Sequence, residues 1–307
     1  MIYTRCIAAA LAAASGPLCP SPAAAVDDAA PSAQEPRVLL LGDSWITFLT
    51  VFRSFDHALE DLGLDPAAVT SLHLPGSEAR RWNRMMGRLL IGSRLMSAPS
   101  IDIVVLCMGG NDVMGDFNCR APEAERRAVV ARAARDVAGV IDYILSLRPD
   151  VRVALIGYDY PNFRDAVQHR MWAVQRRIYE QAGRPNPAQA NEAVIWLAEA
   201  GFKIAEERER VAYVNNTGLM QHAFGYGPAG LRPGDAPYPG DTISEGPFPG
   251  GDPTLPSPME AMIKFWDFRD AIHLGADGSR LVADRAVDVC LGEWLLHPIE
   301  TVEAAWR

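Results

Sequence analysis

Val38-Leu39-Leu40-Leu41-Gly42-Asp43-Ser44-Trp45 is the stretch from which the rest of the chain can be read. Four consecutive apolar residues are the pattern of a strand buried on both faces. They run into Gly-Asp-Ser, and Trp45-Ile46-Thr47-Phe48-Leu49 follows as the apolar opening of a helix. A serine at the carboxyl end of a strand and the mouth of a helix stands where open α/β sheets do their chemistry. The free N–H groups of the first helical turn favour negative charge at that point. The same serine also fits the plainer role of a helix N-cap, with Asp43 bracing the turn. The remaining chain has to decide between cap and nucleophile.

Outward from this stretch the strand-then-helix pattern repeats. Apolar runs predict strands at 38–41, 101–108, 151–157 and 211–214, and a second short strand is read at 69–74. Spacings near three and four predict helices at about 46–62, 78–96, 123–147, 164–182, 188–210 and 277–296. In the second of these, Trp82, Met85, Met86, Leu89 and Leu90 share one face, which reads as core. The run 101–108 is the most apolar and fits a central parallel strand. Alternation of this kind predicts a parallel sheet with helices on both faces. Right-handed crossovers then bring every strand's carboxyl end to one rim, where Ser44, Gly76, Asn111 and Asn215 should gather.

That rim carries the parts of an acyl-transfer site. Such chemistry needs a nucleophile, a base, a group to orient the base, and fixed donors for the oxyanion. Ser44 is the candidate nucleophile, His273 the base, and Asp270, three residues earlier, the orienting carboxylate. The Ser44 N–H, the Gly76 N–H and the Asn111 amide are the candidate oxyanion donors. Asp270 also fits a helix cap. His57, His73, His169, His222 and His297 read as surface or packing residues, with His73 nearest the site in sequence. Asp112 reads as a loop hydrogen-bonder.

Gly42-Asp43-Ser44, Gly76, Gly109-Gly110-Asn111-Asp112 and Asp270-Ala271-Ile272-His273 occur in the order of the four sequence blocks of the SGNH/GDSL hydrolase family, which this chain resembles. The resemblance runs from the first strand to the last helix. It departs from the family where Trp45 stands in place of the leucine and where the block around Gly76 matches poorly. It implies a flavodoxin-like three-layer α/β/α sandwich around a central, mainly parallel five-stranded sheet. It implies a serine esterase or lipase with Ser44, Asp270 and His273 as its triad, Gly76 and Asn111 in the oxyanion hole, and neither metal nor cofactor. An acyltransferase or deacetylase acting on envelope glycans is the alternative with the same site. A catalytically silent binding protein on the same scaffold is the alternative of another class.

From about residue 218 to 258 the composition shifts to Gly, Pro, Tyr and Phe, which predicts a long loop inserted on the catalytic rim. Its Gly/Pro content makes it a candidate lid. Trp45, Tyr226, Tyr238 and Trp266 are candidate substrate contacts, with Phe248, Phe265 and Phe268 beside them. The loop's aromatic residues equally suit a small core of the loop's own.

The 307 residues carry a net charge of −9 and contain no run of lysine or arginine, which argues against a nucleic-acid backbone as partner. The expected substrate is an ester on a lipid, a small alcohol or a glycan. Residues 1–25 read as a signal peptide: Arg5, an apolar stretch at 7–14, and Ala23-Ala24-Ala25 before the cut. Residues 26–36 read as a flexible lead-in and 37–307 as one catalytic domain. The expected location is therefore the periplasm or the medium, and no stretch is long and apolar enough to cross a membrane. Cys107, Cys119 and Cys290 would remain after cleavage. Cys119 and Cys290 are free to pair in an oxidising compartment, and an odd count leaves no complete pairing.

Overall fold

The structure, a computed structural model, describes residues 35–244 and 246–297. The signal peptide expected at residues 1–25 lies outside the described residues, as does all but the end of the expected lead-in. In chain order the first half runs β1 (Val38–Gly42), α1 (Ser44–Val51), α2 (Ser54–Asp61), β2 (Val69–His73), α3 (Ala79–Trp82), α4 (Met85–Ser97), β3 (Ile103–Cys107), α5 (Gly110–Asp116) and α6 (Glu123–Leu147). The second half runs β4 (Arg152–Ile156), α7 (Phe163–Ala166), β5 (Arg170–Met171), α8 (Ala173–Gln181), α9 (Pro187–Glu206), β6 (Val211–Val214), α10 (Leu219–Phe224), β7 (Met262–Phe265), β8 (Phe268–Leu274), α11 (Ala276–Ala286) and α12 (Gly292–Leu296).

The main sheet has the order β2-β1-β3-β4-β6, and all its neighbours are parallel. This is the flavodoxin-like order, with its switch point between β1 and β3. Gly42 is level with both His73 and Cys107, so the three strands end flush on one edge. Alternate residues feed two cores. Leu40, Val105 and Ile156 pack with Ile46, Phe55 and Val282 of α1, α2 and α11. Leu39, Leu41, Val104 and Leu155 pack with Ile91, Ile141 and Phe202 of α4, α6 and α9. Helices on both faces complete the three layers that the sequence implied.

Several elements differ from the sequence expectation. The helix expected at 46–62 is two, because Arg53 adopts a left-handed conformation (φ 53°). The helix expected at 78–96 breaks between Trp82 and Met85. Trp82 is buried as expected, but Met85, Met86, Leu89 and Leu90 face outward, contrary to the core reading. Gly87, Ile91, Gly92 and Leu95 take the inner face instead. A helix-period pattern names a shared face without saying which face turns inward, and here small residues let α4 sit close. A Cβ on Gly87 would lie 2.5 Å from the Trp82 backbone, and one on Gly92 2.7 Å from the Tyr143 hydroxyl.

The short strand β5 interrupts the helix expected at 164–182 and joins β8 and β7 in a second sheet of order β5-β8-β7, which no sequence pattern announced. The last helix widens into a π-turn at Val287–Leu291. The 218–258 stretch includes α10 and is tied down by buried polar groups. Arg285 donates to Asn215 O and Pro239 O, and Tyr160 donates to Gly250 O. Gln221, Asn191 and Asn162 bind the backbone between Asp252 and Ser257. Cys107, Cys119 and Cys290 are buried free thiols.

Gly42 is the tightest point of the fold. Its φ is +153°, and a Cβ there would fall 1.9 Å from the Cys107 carbonyl oxygen on β3. Gly63 also has positive φ (+73°) but has nothing within 4 Å. Gly42→Ala is therefore expected to lose about 3 kcal/mol or more, and Gly63→Ala about 1 kcal/mol. Urea denaturation of the two variants measures the difference, and equal losses would show that crowding at Gly42 is not what limits the site.

Candidate active site

Each site residue is positioned by a strand end. β1 terminates at Gly42, and Asp43 caps α1 by accepting the Trp45 N–H at 2.9 Å. The N-cap is therefore Asp43 and not Ser44. Ser44 is the first residue of the helix, and its side chain is left free for another partner. Its Oγ lies 2.8 Å from His273 Nε2.

His273 and Asp270 belong to β8, so Asp270 is not a helix cap. His273 Nδ1 lies 2.8 Å from Asp270 Oδ2. The other carboxylate oxygen of Asp270 accepts the N–H groups of Ile272 (2.7 Å) and His273 (2.8 Å) and the Gln175 amide of α8 (2.6 Å). Gln175 also accepts the Ala271 N–H, so it holds this segment from both sides. All three members of the Ser44–His273–Asp270 line are buried. The Phe48 ring packs 4.9 Å from the imidazole.

Burial acts against charge on both members of the His273–Asp270 pair, and their mutual attraction outweighs it. Asp270 is held below the ordinary carboxylate range by the His273 charge and by its hydrogen bonds. His273 is held above the ordinary histidine value by the Asp270 charge and hydrogen bond. A base in this state accepts a proton readily and keeps it until a strong enough acceptor arrives.

Asp43 is the second hub. Its Oδ2 accepts the Tyr158 hydroxyl at 2.7 Å and the Asn111 amide at 3.1 Å. Burial pushes Asp43 up to about 6, against the pull of the Tyr158 and Trp45 hydrogen bonds. Asn111, in the first turn of α5, gives its other amide hydrogen to Ser77 O at 3.0 Å. The Tyr158 hydroxyl in turn accepts the Gly110 N–H at 3.1 Å, and a Cβ on Gly110 would lie 2.8 Å from the Tyr158 ring. Gly76 lies in the Leu74–Ser77 turn, closed by Ser77 N–H to Leu74 O at 3.0 Å. With Pro75 second and Gly76 third at φ +72°, this has the sequence and backbone of a type II turn. Asp112 accepts the N–H groups of Ala79 and Arg80, joining α5 to the start of α3.

The structure thus brings Ser44, His273 and Asp270 into one hydrogen-bonded line, with Asn111 joined to it through Asp43. The remaining candidates disperse. Trp45 is buried and lines an apolar cavity of about 80 Å³ together with Gly110, Met114, Phe163, Leu197 and Ile272. Tyr226 is buried within the long loop, where its hydroxyl donates to Asp165. Tyr238 packs on His222 and the Arg285 guanidinium. Trp266 is exposed and stacks on Phe265. None of these three lines the cavity. His73 Nδ1 lies 2.9 Å from Thr47 Oγ1. Among the described residues no three His, Cys, Asp or Glu side chains converge as a metal site would require. Tyr158 and Gln175 escaped sequence reasoning. Tyr158 directly follows a predicted strand and its Gly157 on the same rim, which was an available signal; Gln175 had none.

No family model matches the chain, and no curated protein does. Among solved structures it is similar to a carbohydrate esterase family 3 protein from Talaromyces cellulolyticus, at 13% identity over 81% of this chain and 93% of that one, with TM-score 0.45. It is similar to a carbohydrate acetylesterase from Sinorhizobium meliloti, at 14% identity over 83% and 97%, with TM-score 0.46. It is also similar to an extracellular lipase from Streptomyces rimosus, at 15% identity over 82% and 98%, with TM-score 0.44.

The electrostatics of the pair can be read by NMR titration. His273 should titrate above the ordinary ~6.5 of a free histidine. In Asp270→Asn the attraction is removed and burial remains, so His273 should titrate below that value. A His273 midpoint unmoved by the substitution would mean that Asp270 does not set its proton affinity.

Proposed function

We propose that this chain is an exported serine esterase that hydrolyses carboxylic esters through an acyl-enzyme on Ser44. The observation that carries this reading is the continuous line from Ser44 Oγ to His273 Nε2 and from His273 Nδ1 to Asp270, both contacts 2.8 Å. A serine used only as a cap or in packing has no need of a buried, carboxylate-oriented imidazole. Export rests on the leader-like composition of residues 1–25.

The chemistry follows from the proton's path. Ser44 Oγ attacks the ester carbonyl while His273 Nε2 takes its proton. Asp270 stabilises the imidazolium that forms. The oxyanion develops beside the Ser44 N–H at the positive end of α1, with the Gly76 N–H and the Asn111 amide as the further donors. Asn111 enters by exchanging one of its resting bonds, to Asp43 or Ser77, for the oxyanion. Collapse expels the alcohol, which receives the proton from His273. Water, deprotonated by the same imidazole, then attacks the acyl-enzyme and releases the acid and free Ser44.

The acyl chain is assigned to the apolar cavity, since its wall includes Gly110 and Tyr158, which belong to the hydrogen-bonded network around Asp43 and Asn111. At about 80 Å³ it is roughly half the size of a cavity that takes up benzene. It therefore suits an acyl chain of roughly two to four carbons.

A serine-reactive phosphonate should label the native protein and not Ser44→Ala, and equal labelling of both would overturn the mechanism. In the native protein ester turnover should rise with pH as His273 loses its proton, because only neutral imidazole accepts one from Ser44. The midpoint should lie on the alkaline side of the ordinary histidine value.

Tyr158→Phe should lower kcat by about tenfold or more, because the Gly110 N–H loses its acceptor and Asp43 a donor beside Asn111. Steady-state kinetics on p-nitrophenyl acetate check this, and an unchanged kcat would remove Tyr158 from the positioning network. Across p-nitrophenyl esters, kcat/KM should fall beyond the butyrate.

A further inference from the structure

The helix that defied its sequence pattern carries an exposed apolar surface that the reaction leaves unexplained. α4 spans 13 residues, so its axis is about 20 Å long. Its inner face, Gly87, Ile91, Gly92 and Leu95, is already packed. On the opposite face Met85, Met86, Leu89, Leu90 and Met96 stand 52% to 72% exposed. Met85 and Leu89, and Met86 and Leu90, are four apart and therefore stacked along the helix, with Met96 continuing the first row. Exposed apolar side chains scattered singly need no explanation, but an aligned ridge does.

Charge selects what covers the ridge. From Ala79 to Ile101 there are five arginines and no aspartate, glutamate or lysine, in a chain whose net charge is −9. Arg80 is paired with Glu78 at 2.6 Å. Arg88 binds Asn83 and lies over the Tyr143 ring, and Arg94 reaches Thr70. Arg81 and Arg84, next to the ridge, are exposed and make no ion pair among the described residues. A symmetric contact through α4 would place the unpaired Arg81 and Arg84 of both copies in one interface with no acidic side chain between Ala79 and Ile101 to meet them, which disfavours association. Methionine and leucine beside unpaired guanidinium groups match an interface that is apolar inside and anionic at its rim.

We propose that α4 docks the protein on an anionic lipid surface, the Met/Leu ridge entering the acyl region and Arg81 and Arg84 meeting the headgroups. The ridge is a fixed feature, because Gly87 and Gly92 seat α4 tightly on the body. It is also coupled to the candidate site. Trp82, two residues before Met85's neighbour Arg84, donates its indole N–H to Ser77 Oγ at 2.7 Å, and Ser77 O accepts the Asn111 amide. Docking through α4 therefore orients the Ser44 rim with respect to the lipid plane. The docking itself does not depend on the esterase reading.

The test is co-sedimentation with vesicles of phosphatidylglycerol and phosphatidylcholine in equal parts, and of phosphatidylcholine alone. The full-length chain carrying Ser44→Ala is compared with the same chain carrying Met85→Ser, Met86→Ser, Leu89→Ser and Leu90→Ser, so residues 1–34 contribute equally to both. Binding to the anionic vesicles should fall at least tenfold in the ridge variant. Arg81→Gln with Arg84→Gln should reduce it about tenfold on anionic vesicles and leave the weaker binding to phosphatidylcholine unchanged. All four ridge side chains are exposed, so thermal unfolding should be unaltered, and the ridge variant with Ser44 intact should hydrolyse p-nitrophenyl acetate as before.

Equal sedimentation of parent and ridge variant would overturn the proposal. So would a parent that is dimeric by light scattering without lipid while the ridge variant is monomeric, since the ridge would then be covered by a second copy. Loss of p-nitrophenyl acetate hydrolysis in the Ser44-containing parent itself would count against the esterase reading and leave the vesicle result standing.

Discussion

The buried carboxylate of Asp43 is the interaction on which the site's geometry depends. It receives the Trp45 N–H from α1, the Asn111 amide from the turn after β3, and the Tyr158 hydroxyl from the segment after β4. Three chain segments that are far apart in sequence are thereby fixed around one pair of oxygens. Removing that acceptor would leave buried donors unsatisfied, each a penalty of about 1–3 kcal/mol. The arrangement also relieves Ser44 of the capping role. Because Asp43 satisfies the first turn of α1, the Ser44 hydroxyl is available to His273.

The long Gly/Pro-rich stretch is held by the same kind of buried polar anchoring. Arg285, Tyr160, Gln221 and Asn162 hold the backbone of the long Gly/Pro-rich stretch at several points along its length. A segment whose carbonyls are spent on buried donors is part of the scaffold. Its aromatics follow suit: Tyr226 is tied to Asp165, and Tyr238 lies against Arg285. The apolar cavity is lined instead from α5, α8, α9 and the residues after β4. Acyl selection under the proposed function therefore falls mainly to helices, whose positions are set by core packing.

The sequence made the sheet legible because parallel strands are buried on both faces and therefore appear as uninterrupted apolar runs. Four of the five strands fall where those runs lie; β2, at the edge of the sheet, is half-buried and mixes Thr70, Ser71 and His73 with Val69 and Leu72. Ser44 and Asn111 were legible because each follows a strand end of the parallel sheet, where topology predicts convergence, and Asp270 and His273 because a carboxylate three residues before a histidine is the pattern of an oriented base. Three kinds of feature were not legible. Backbone breaks such as the left-handed Arg53 depend on packing on either side of a residue with no special propensity. The orientation of α4 depended on Gly87 and Gly92 allowing close approach, against a pattern that favoured Met85 and Leu89 as core. The partners Tyr158 and Gln175 act on Asp43 and Asp270 from 115 and 95 residues away in the chain. Periodicity carries no trace of such contacts.

The two carboxylates of the site are driven in opposite directions by their surroundings, and this orders its response to acid. His273, held above its ordinary value, is the first of the three to take up a proton as pH falls, and the base is then lost. Asp43, pushed up to about 6 by burial, follows while Asp270 is still charged. The linkage signs differ accordingly. Asp43 binds its proton more tightly folded than unfolded, so its contribution favours the fold as pH drops from about 6 toward the ordinary carboxylate value. Asp270 binds its proton less tightly folded, so its contribution is present above the ordinary carboxylate value and is lost as pH falls below it. Between those limits the His273–Asp270 ion pair remains intact, although the imidazole can no longer act as a base. Under the proposed function the site therefore loses its base in mild acid by proton uptake at His273, while Asp270 is still charged.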